Sequence, residues 1–371
     1  MQKVLSVFGT RPEAIKMMPL ILAMDKHPDI DSKVCVTAQH RELLDQVLVP
    51  FGIVPDFDLN IMAVGQTLAD ITTKVLQGLA PVLNEFKPDI LLVHGDTTTT
   101  FAASLAAFYA QVRVGHVEAG LRSYDKYRPY PEEINRKLTT AIADLYFAPT
   151  LQSQDNLIKE NVPRELIYVT GNTAIDLIRY TAKESYRFQT DALNHLDFTK
   201  RIILMTAHRR ENWGAPMENI CHAVKRIVCD HPDVIVVWPV HPGKAVLEPA
   251  HAILGDTKRV LLTEPMGVFD MHNLMKRANL ILTDSGGLQE EAPSFNLPTI
   301  VLREVTERPE GLLAGTLVLA GVCADAIYNE ATRLLTDKVA YAKMAAVPNP
   351  FGDGQASERI IEAILQYGRQ V

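Results

Sequence analysis

The segment TDSGGLQEE at residues 283–291 directly follows an apolar run and has the residue types of an anion-binding helix start. Gly286 and Gly287 would let a ligand approach the backbone closely, and the free N–H groups at the start of a helix attract negative charge. The Ser285 hydroxyl would supply one more donor. The segment therefore predicts a diphosphate site, while a plain helix start capped by Ser285 is the alternative that fits the same pattern.

A similar junction, GTRPEAIK at residues 9–16, follows the first apolar run of the chain. Pro12 suits the first turn of a helix, so Arg11 and Lys16 could face a bound anion. The G-x-G-x-x-G fingerprint of dinucleotide-binding folds does not follow this run, which disfavours a nicotinamide-dependent dehydrogenase.

Carboxylates follow two further apolar runs, at residues 89–94 and 112–117. If these runs are neighbouring strands, Asp96 and Glu118 lie side by side, and paired carboxylates can divide acid and base roles. Asp96 could equally cap a helix that begins in the threonine run 97–100. Glu118 needs a partner, because it directly follows a buried run.

Other polar residues have weaker patterns. Glu132 and Glu133 follow a proline in a predicted first helical turn, where the helix dipole favours acids whatever their function. His208 stands beside two arginines after the run 201–206, a context typical of a phosphate contact or a general acid. His94 and Asp96 have HxD spacing without an evident third ligand, so we expect no catalytic metal.

The elements that must position these residues are short apolar runs that alternate with helical patterns. The runs are rich in Val, Ile and Leu and predict strands buried on both faces of parallel sheets, at residues 3–8, 33–37, 89–94, 112–117, 201–206, 233–238, 259–262, 279–282 and 298–302. Helical patterns lie between them, for example at residues 67–86, 98–110, 131–142 and 215–230. Ligands bind beyond the carboxyl ends of such strands, so polar clusters at six strand ends predict one shared cleft.

The fold class we expect is therefore α/β, with two Rossmann-like domains whose parallel sheets face a cleft. The crossover is placed near Gly171-Asn172-Thr173, because Gly and Asn fit a hinge. The first domain would span residues 1–171 and the second residues 172–354. An amphipathic helix within residues 355–371 would pack back on the first domain.

Composition narrows the class of protein. The chain has 371 residues and a net charge of −7 without a clustered Lys/Arg stripe, which disfavours nucleic acid as a partner. Its apolar runs are far shorter than a membrane span. Four scattered cysteines and an apolar run that starts within a few residues of Met1 predict a cytoplasmic protein with reduced thiols and no signal peptide.

The motifs together resemble the non-hydrolysing bacterial UDP-N-acetylglucosamine 2-epimerase family over essentially the whole chain. The matching segments are VFGTRPEAIK (7–16), TAQHRELLDQVL (37–48), VHGDTTTT (93–100), GHVEAGLR (115–122), PEEINRKL (131–138), HRREN (208–212), TDSGGLQEEAPS (283–294) and TERPEG (306–311). The resemblance implies a fold like that of GT-B glycosyltransferases, a second domain that binds UDP, a homodimer and no cofactor.

The same resemblance implies a reaction at C2 of UDP-N-acetylglucosamine that yields UDP-N-acetylmannosamine. UDP would leave in an anti elimination that gives 2-acetamidoglucal, and would add back while C2 is protonated from the other face. The product would supply N-acetylmannosamine for a surface polysaccharide. Capsule, teichoic acid linkage and enterobacterial-type polysaccharides all stay open as its destination.

Residue roles follow from the resemblance position by position. The catalytic positions match Asp96, Glu118, Glu132 and His208, without deciding which acid removes the C2 proton and which delivers it. The substrate-binding positions match Arg11, Lys16, Ser285, Gly286, Gly287, Glu291 and Arg308, with Glu291 where relatives hold the uridine ribose. A regulatory UDP-N-acetylglucosamine site, which helps the domains to close, matches Gln39, His40, Gln46 and His241.

The chain departs from some relatives near the uracil, where Met266 and Met271 stand in place of Gln and Phe. Base contacts there must come from the backbone and from neighbouring side chains. Three other functions stay open beside the epimerase: a retaining glycosyltransferase of the same fold, a hydrolysing epimerase that releases free N-acetylmannosamine, and a non-enzymatic nucleotide-sugar sensor. The number of acids near C2 argues against the transferase.

Overall fold

The computed structural model describes residues 1–38, 41–63 and 65–369, without the side chains of residues 41–43 and 46. The chain divides into two compact units. The first comprises Met1–Leu177 and the residues from Gly352 onward, and the second comprises Ile178–Phe351. Among the described helices, none combines the length and the apolar character needed to cross a bilayer.

The first unit is built on a parallel sheet. Its strands within the described residues are β1 (Gln2–Phe8), β2 (Ile30–Val36), β3 (Phe57–Asp58), β4 (Ile90–His94), β5 (Arg113–Val117), β6 (Leu145–Ala148) and β7 (Ile167–Val169). They lie in the order β3-β2-β1-β4-β5-β6-β7. The strand order therefore reverses between β1 and β4, and the loops that follow these two strands lie where open α/β sheets bind their ligands.

Helices connect the strands of the first unit. They are α1 (Arg11–Met24), α2 (Arg41–Leu48), α3 (Leu68–Phe86), α4 (Thr98–Tyr109), α5 (Glu132–Ile142), α6 (Leu151–Lys159) and α7 (Thr173–Thr181). Their apolar faces cover the sheet, as in the core where Val75 and Leu79 of α3 pack with Leu5 of β1 and Leu91 of β4. A capping box of Thr67 and Asp70 fixes the start of α3.

The second unit repeats the plan with the described strands β8 (Arg201–Thr206), β9 (Val234–Pro239), β10 (Val260–Thr263), β11 (Leu280–Thr283), β12 (Thr299–Val301) and β13 (Leu317–Leu319). The order β10-β9-β8-β11-β12-β13 is again that of a Rossmann sheet. The direction of this strand order reverses between β8 and β11. The core on one face surrounds Trp238, which is fully buried.

The helices of the second unit are α8 (Asp191–Asn194), α9 (Ala215–Asp230), α10 (Lys244–Leu254), α11 (Val268–Met275), α12 (Gly286–Glu291), α13 (Pro309–Ala314), α14 (Ala324–Thr336) and α15 (Lys338–Ala345). The last helix, α16 (Ala356–Gly368), belongs to the first unit. The polar stretch 183–200 contains α8. Asp270 of α11 holds it by accepting hydrogen bonds from the backbone N–H groups of Gln189 and Thr190, at 2.9 and 2.8 Å.

The predicted fold class of two parallel α/β units is confirmed, and each predicted apolar run overlaps a strand. Four strands were missed, namely β3, β6, β7 and β13. Each has two to four residues.

The chain passes between the units within α7, between Leu177 and Ile178, and returns between Phe351 and Gly352. The sequence placed the first crossing at residue 171 and the return at residue 354. Gly171 has φ of +88°, and Asn172 Oδ1 accepts a hydrogen bond from Ala174 N at 3.0 Å. These residues therefore start a helix that continues past the crossing.

Asp176 ties α16 to α7. Its carboxylate accepts hydrogen bonds from Ala356 N at 3.0 Å and Ser357 N at 2.6 Å, so it satisfies two N–H groups of the first turn of α16. Burial raises the pKa of Asp176, against the effect of these hydrogen bonds.

Replacing Asp176 by Ala should destabilise the first unit by on the order of 1–3 kcal/mol, because two buried N–H groups lose their acceptor. Asp176→Asn keeps an acceptor oxygen and should cost less. Melting temperature and hydrogen exchange of the peptide 352–368 would measure both effects, with the exposed Glu165→Gln as the control. Wild-type exchange in Asp176→Ala would contradict this role.

Candidate functional site

Glu13 joins the two loops at the strand reversal of the first unit. Its carboxylate accepts hydrogen bonds from Gly9 N (3.1 Å), Thr10 N (2.8 Å) and Thr10 Oγ1 (2.7 Å) in the loop after β1. The hydroxyls of Thr97 (2.7 Å) and Thr100 (3.2 Å), which follow β4, donate to its other oxygen. Burial raises the pKa of Glu13, although the hydrogen bonds from Thr97, Thr10 and Gly9 oppose that shift.

Glu118 follows β5 and lies among polar groups from three other segments. Its Oε2 forms an ion pair with Lys16 of α1, accepts a hydrogen bond from Asn172 Nδ2 at 3.0 Å, and lies 3.9 Å from His94 Nε2. Glu118 has φ of +63°, an uncommon conformation for a residue other than glycine. Gly95 lies beside it: a Cβ there would make ordinary van der Waals contact with Oε1 at 3.5 Å, so it is the φ of +68° that favours glycine at this position.

Two buried histidines lie behind this carboxylate. Burial lowers the pKa of His94 to about 3 and that of His116 to about 4, so both rings are neutral at neutral pH. His116 Nε2 lies 2.7 Å from the carbonyl oxygen of Gly95 and therefore donates to it. Neither ring can supply a positive charge near Glu118.

Asp96 follows β4 and is held by Arg136 of α5. Both Nε (2.9 Å) and Nη2 (2.6 Å) of Arg136 donate to Asp96 Oδ2. The alternative that Asp96 caps α4 is wrong, because Thr97 occupies the cap position and its hydroxyl accepts the hydrogen bond from Thr100 N. The Asp96 carboxylate thus contacts Arg136 and does not cap the helix.

The two acids at the start of α5 have different surroundings. Glu133 is fully buried and accepts hydrogen bonds from Ser123 N and Tyr124 N, both at 3.0 Å, and from Arg136 Nη1 at 3.2 Å. Glu133 therefore fixes the loop after β5. Glu132 is partly buried, and its Oε2 has no hydrogen-bond partner among the residues that the structure describes.

Asp284 organises the corresponding reversal in the second unit. Its Oδ2 accepts hydrogen bonds from His208 N (2.7 Å), Arg209 N (2.8 Å) and Asn212 Nδ2 (3.0 Å), all of which follow β8. His208 Nδ1 lies 3.1 Å from Oδ1. Burial alone would raise the pKa of Asp284, but His208 and the backbone N–H groups outweigh it and lower that pKa overall.

The glycine-rich start of α12 lies beside two guanidinium groups. A Cβ at Gly286 would lie 3.6 Å from Arg308 Nη2 and 3.9 Å from Arg209 Nη2. Ser285 occupies the cap position, but its side chain makes no capping hydrogen bond, so the alternative of a plain Ser cap is wrong. Backbone N–H groups, a hydroxyl and two guanidinium groups together are suited to bind a diphosphate.

Four further positions that the sequence analysis named lie in the second unit. Glu291 Oε2 is 3.2 Å from His272 Nε2. The ring of His241 stacks on that of His208, with centroids 6.1 Å apart. Met266 is buried in the core and Met271 packs against the same core, so both methionines contribute to packing.

The predicted site residues thus fall into two groups. Arg11, Lys16, Asp96, Glu118 and Glu132 belong to the first unit, and the second unit carries His208, His241, Ser285, Gly286, Gly287, Glu291 and Arg308. Arg11 is the first residue of α1. Gln39 and His40 and the side chain of Gln46 lie outside the described residues.

Among the described residues that contact these groups, Arg136, Asn172 and His272 were not named as site residues, and Arg209 was named only as a neighbour of His208. Arg136 lies one turn beyond Glu132 in the motif PEEINRKL, so helical spacing was a usable signal for it. For Asn172 the sequence predicts only a hinge. The ring of His272 is fully buried, and no sequence pattern links it to Glu291.

Comparison with known proteins shows which family this chain resembles. The family model described as UDP-N-acetylglucosamine 2-epimerase matches residues 22–365. The chain is 58% identical to UDP-N-acetylglucosamine 2-epimerase of Bacillus subtilis, over 99% of this chain and 96% of that protein. It is 54% identical to the enzyme of that name from Escherichia coli K12, over 98% of each chain.

A solved structure agrees with these matches. The crystal structure of UDP-GlcNAc 2-epimerase from Neisseria meningitidis bound to UDP-GlcNAc is 48% identical to this chain. It superimposes with a TM-score of 0.89 over 98% of this chain and 100% of that one.

The lowered pKa of Asp284 gives a prediction with a definite sign. Asp284→Asn should destabilise the second unit by about 1–3 kcal/mol at neutral pH, because a charged acceptor of buried N–H groups is lost. The wild-type advantage should be fully present above the ordinary pKa of 3.8 and disappear as the pH falls through the lower pKa of the folded state.

Urea unfolding followed by tryptophan fluorescence would measure this difference, since Trp213 and Trp238 both lie in the second unit. The exposed Asp256→Asn is the matched control. A difference between wild type and Asp284→Asn that grows as the pH is lowered would contradict the assignment.

Proposed function

The chain belongs to the UDP-N-acetylglucosamine 2-epimerase family and is an isomerase, and on that premise we propose that it inverts C2 of UDP-N-acetylglucosamine by eliminating UDP and adding it back. The product is UDP-N-acetylmannosamine. The carboxylates of the first unit would move the C2 proton, and the anion-binding groups of the second unit would hold UDP.

The observation that carries the proposal is the chemistry of the groups that follow the strands at and next to the two strand reversals. In the first unit the groups are carboxylates that lie against positive charges, with Glu118 beside Lys16 and Asp96 beside Arg136. In the second unit the groups are guanidiniums around the glycine-rich start of α12. Proton transfer at carbon needs the first set, and a departing diphosphate needs the second.

The elimination step removes the proton on C2 while the bond between C1 and the diphosphate oxygen breaks. The electrons of the C–H bond form the C1–C2 double bond of 2-acetamidoglucal, and the electrons of the C–O bond leave with UDP. Re-addition forms the C1–O bond again and places a proton on the opposite face of C2. Two faces require two proton-transfer groups, and Asp96, Glu118 and Glu132 are the candidates.

The leaving diphosphate gains negative charge as the C1–O bond breaks. Arg308, Arg209 and the N–H groups after Ser285 would stabilise that charge. His208, fixed by Asp284 at its backbone N–H, would contact the phosphate or protonate it. Glu291 would accept hydrogen bonds from the ribose hydroxyls. Arg11 would add a further positive group, while Lys16 would act chiefly through Glu118.

Several finer points stay predictions. These are the homodimer, activation by a second UDP-N-acetylglucosamine molecule, the cytoplasmic location, and the supply of N-acetylmannosamine to a surface polysaccharide. His241 is the described member of the regulatory set, and its stacking on His208 would connect that set to a catalytic position.

The decisive experiment is turnover of UDP-N-acetylglucosamine in D2O, without added metal or nicotinamide, followed by NMR. We expect UDP-N-acetylmannosamine as the minor epimer and deuterium at C2 in both epimers, because the acids exchange their protons with solvent. Free N-acetylmannosamine as the main product would instead indicate a hydrolysing enzyme. Turnover that requires an added acceptor would indicate a glycosyltransferase.

Asp96→Asn and Glu118→Gln should each lower kcat by about 10²–10⁴-fold, the usual contribution of general acid–base catalysis. Both substitutions keep the side-chain shape, so the melting temperature should change little compared with the loss of activity. Glu165→Gln, an exposed acid of the same unit, is the control. Wild-type rates in both variants would remove these acids from the mechanism.

A further inference from the structure

His272 connects Glu291 to the end of α7. Its Nε2 lies 3.2 Å from Glu291 Oε2, and its Nδ1 lies 2.5 Å from Thr181 Oγ1. The ring is fully buried and packs at 5.8 Å from the ring of Phe295. All four residues belong to the second unit.

The chemistry of the pair fixes one hydrogen position. An ionised Glu291 can only accept hydrogen bonds, so Nε2 of His272 must carry the proton that joins them. Thr181 holds the other ring nitrogen, and this contact fixes the ring orientation whether the hydroxyl donates or accepts. His272 is the one hydrogen-bond partner of the Glu291 carboxylate within residues 1–38, 41–63 and 65–369.

A purely structural role for His272 would be to anchor the end of α7, but its neighbour Asn273 already does so. Asn273 Nδ2 donates to Thr181 O at 2.8 Å, and Asn273 Oδ1 accepts from Lys183 N at 2.9 Å. The helix end is therefore held through its backbone without His272. What His272 adds is the contact with the carboxylate.

We infer that His272, oriented by Thr181, is a positioning residue that fixes the Glu291 carboxylate and so sets the preference of the enzyme for a nucleotide with ribose hydroxyls. The inference rests on the proposed function, in which Glu291 accepts hydrogen bonds from the ribose. A side chain with three rotatable bonds loses much of its directionality when its orienting partner is removed. Bonds to the hydroxyls then weaken, while the contacts to the diphosphate stay.

The test compares the dissociation constants of UDP and 2′,3′-dideoxy-UDP by titration calorimetry. Their ratio isolates the ribose hydroxyls from the rest of the nucleotide. In the wild type we expect a ratio of about 10–100, the usual strength of hydrogen bonds to a charged group. Glu291→Ala should bring the ratio close to one.

His272→Met removes the donor at similar side-chain length and should lower the ratio at least about fivefold, whereas His272→Gln restores an N–H donor and should keep most of it. Thr181→Val should lower the ratio less, because the ring loses its orientation but keeps its proton. Asn273→Ala is the matched control: it should lower the melting temperature and leave the ratio unchanged.

The outcomes distinguish the ribose role of Glu291 from the positioning role of His272. A wild-type ratio near one, or an unchanged ratio in Glu291→Ala, would reject the ribose role of Glu291 in the proposed function. A lowered ratio in Glu291→Ala with unchanged ratios in His272→Met and Thr181→Val would leave that role intact and overturn the inference. If His272→Gln and His272→Met lowered the ratio equally, the inference would be overturned as well, since lost packing would then explain both effects.

Discussion

The structure depends on buried carboxylates that each accept hydrogen bonds from two consecutive backbone N–H groups. Loops beyond the strands leave such N–H groups without a ladder partner, and a buried N–H that lacks an acceptor is costly. One carboxylate can satisfy two of them, with the added strength of a charged acceptor. The acids that do so are Glu13, Glu133, Asp176, Asp270 and Asp284.

These buried carboxylates share the same kind of hydrogen bonds, but their pKa values shift in different directions. Burial dominates at Glu13 and Asp176 and raises the pKa of each. At Asp284 burial also favours a higher pKa, but the His208 ring and the backbone N–H groups outweigh it, and the pKa falls. The loop after β8 is thereby tied to an ionised group. In the proposed function this is the loop that would present His208 and Arg209 to the diphosphate.

The sequence was sufficient for the parallel sheets and for most of the residues at the strand reversals, because buried parallel strands and glycine-rich helix starts have strong patterns. It was insufficient where a residue type permits two roles. Asp96 fitted a cap and a catalytic acid equally well, and the hydroxyl of Thr97 in the cap position excludes only the first of these roles. Arg136 and His272 were missed because Asp96 and Glu291, the carboxylates that they contact, are distant in sequence. Helical spacing relates Arg136 only to the acids at the start of its own helix.

In the proposed mechanism, the cations beside Asp96 and Glu118 matter because each acid would change its own charge during the reaction. A carboxylate that takes a proton from carbon starts with a negative charge and loses it, so the protein around it must tolerate both forms. Lys16 and Arg136 lie against Glu118 and Asp96, whereas the nearby His94 is held neutral by burial. In the proposed mechanism, Lys16 and Arg136 would therefore compensate the charges of Glu118 and Asp96, and the proton that moves would stay on the carboxylates.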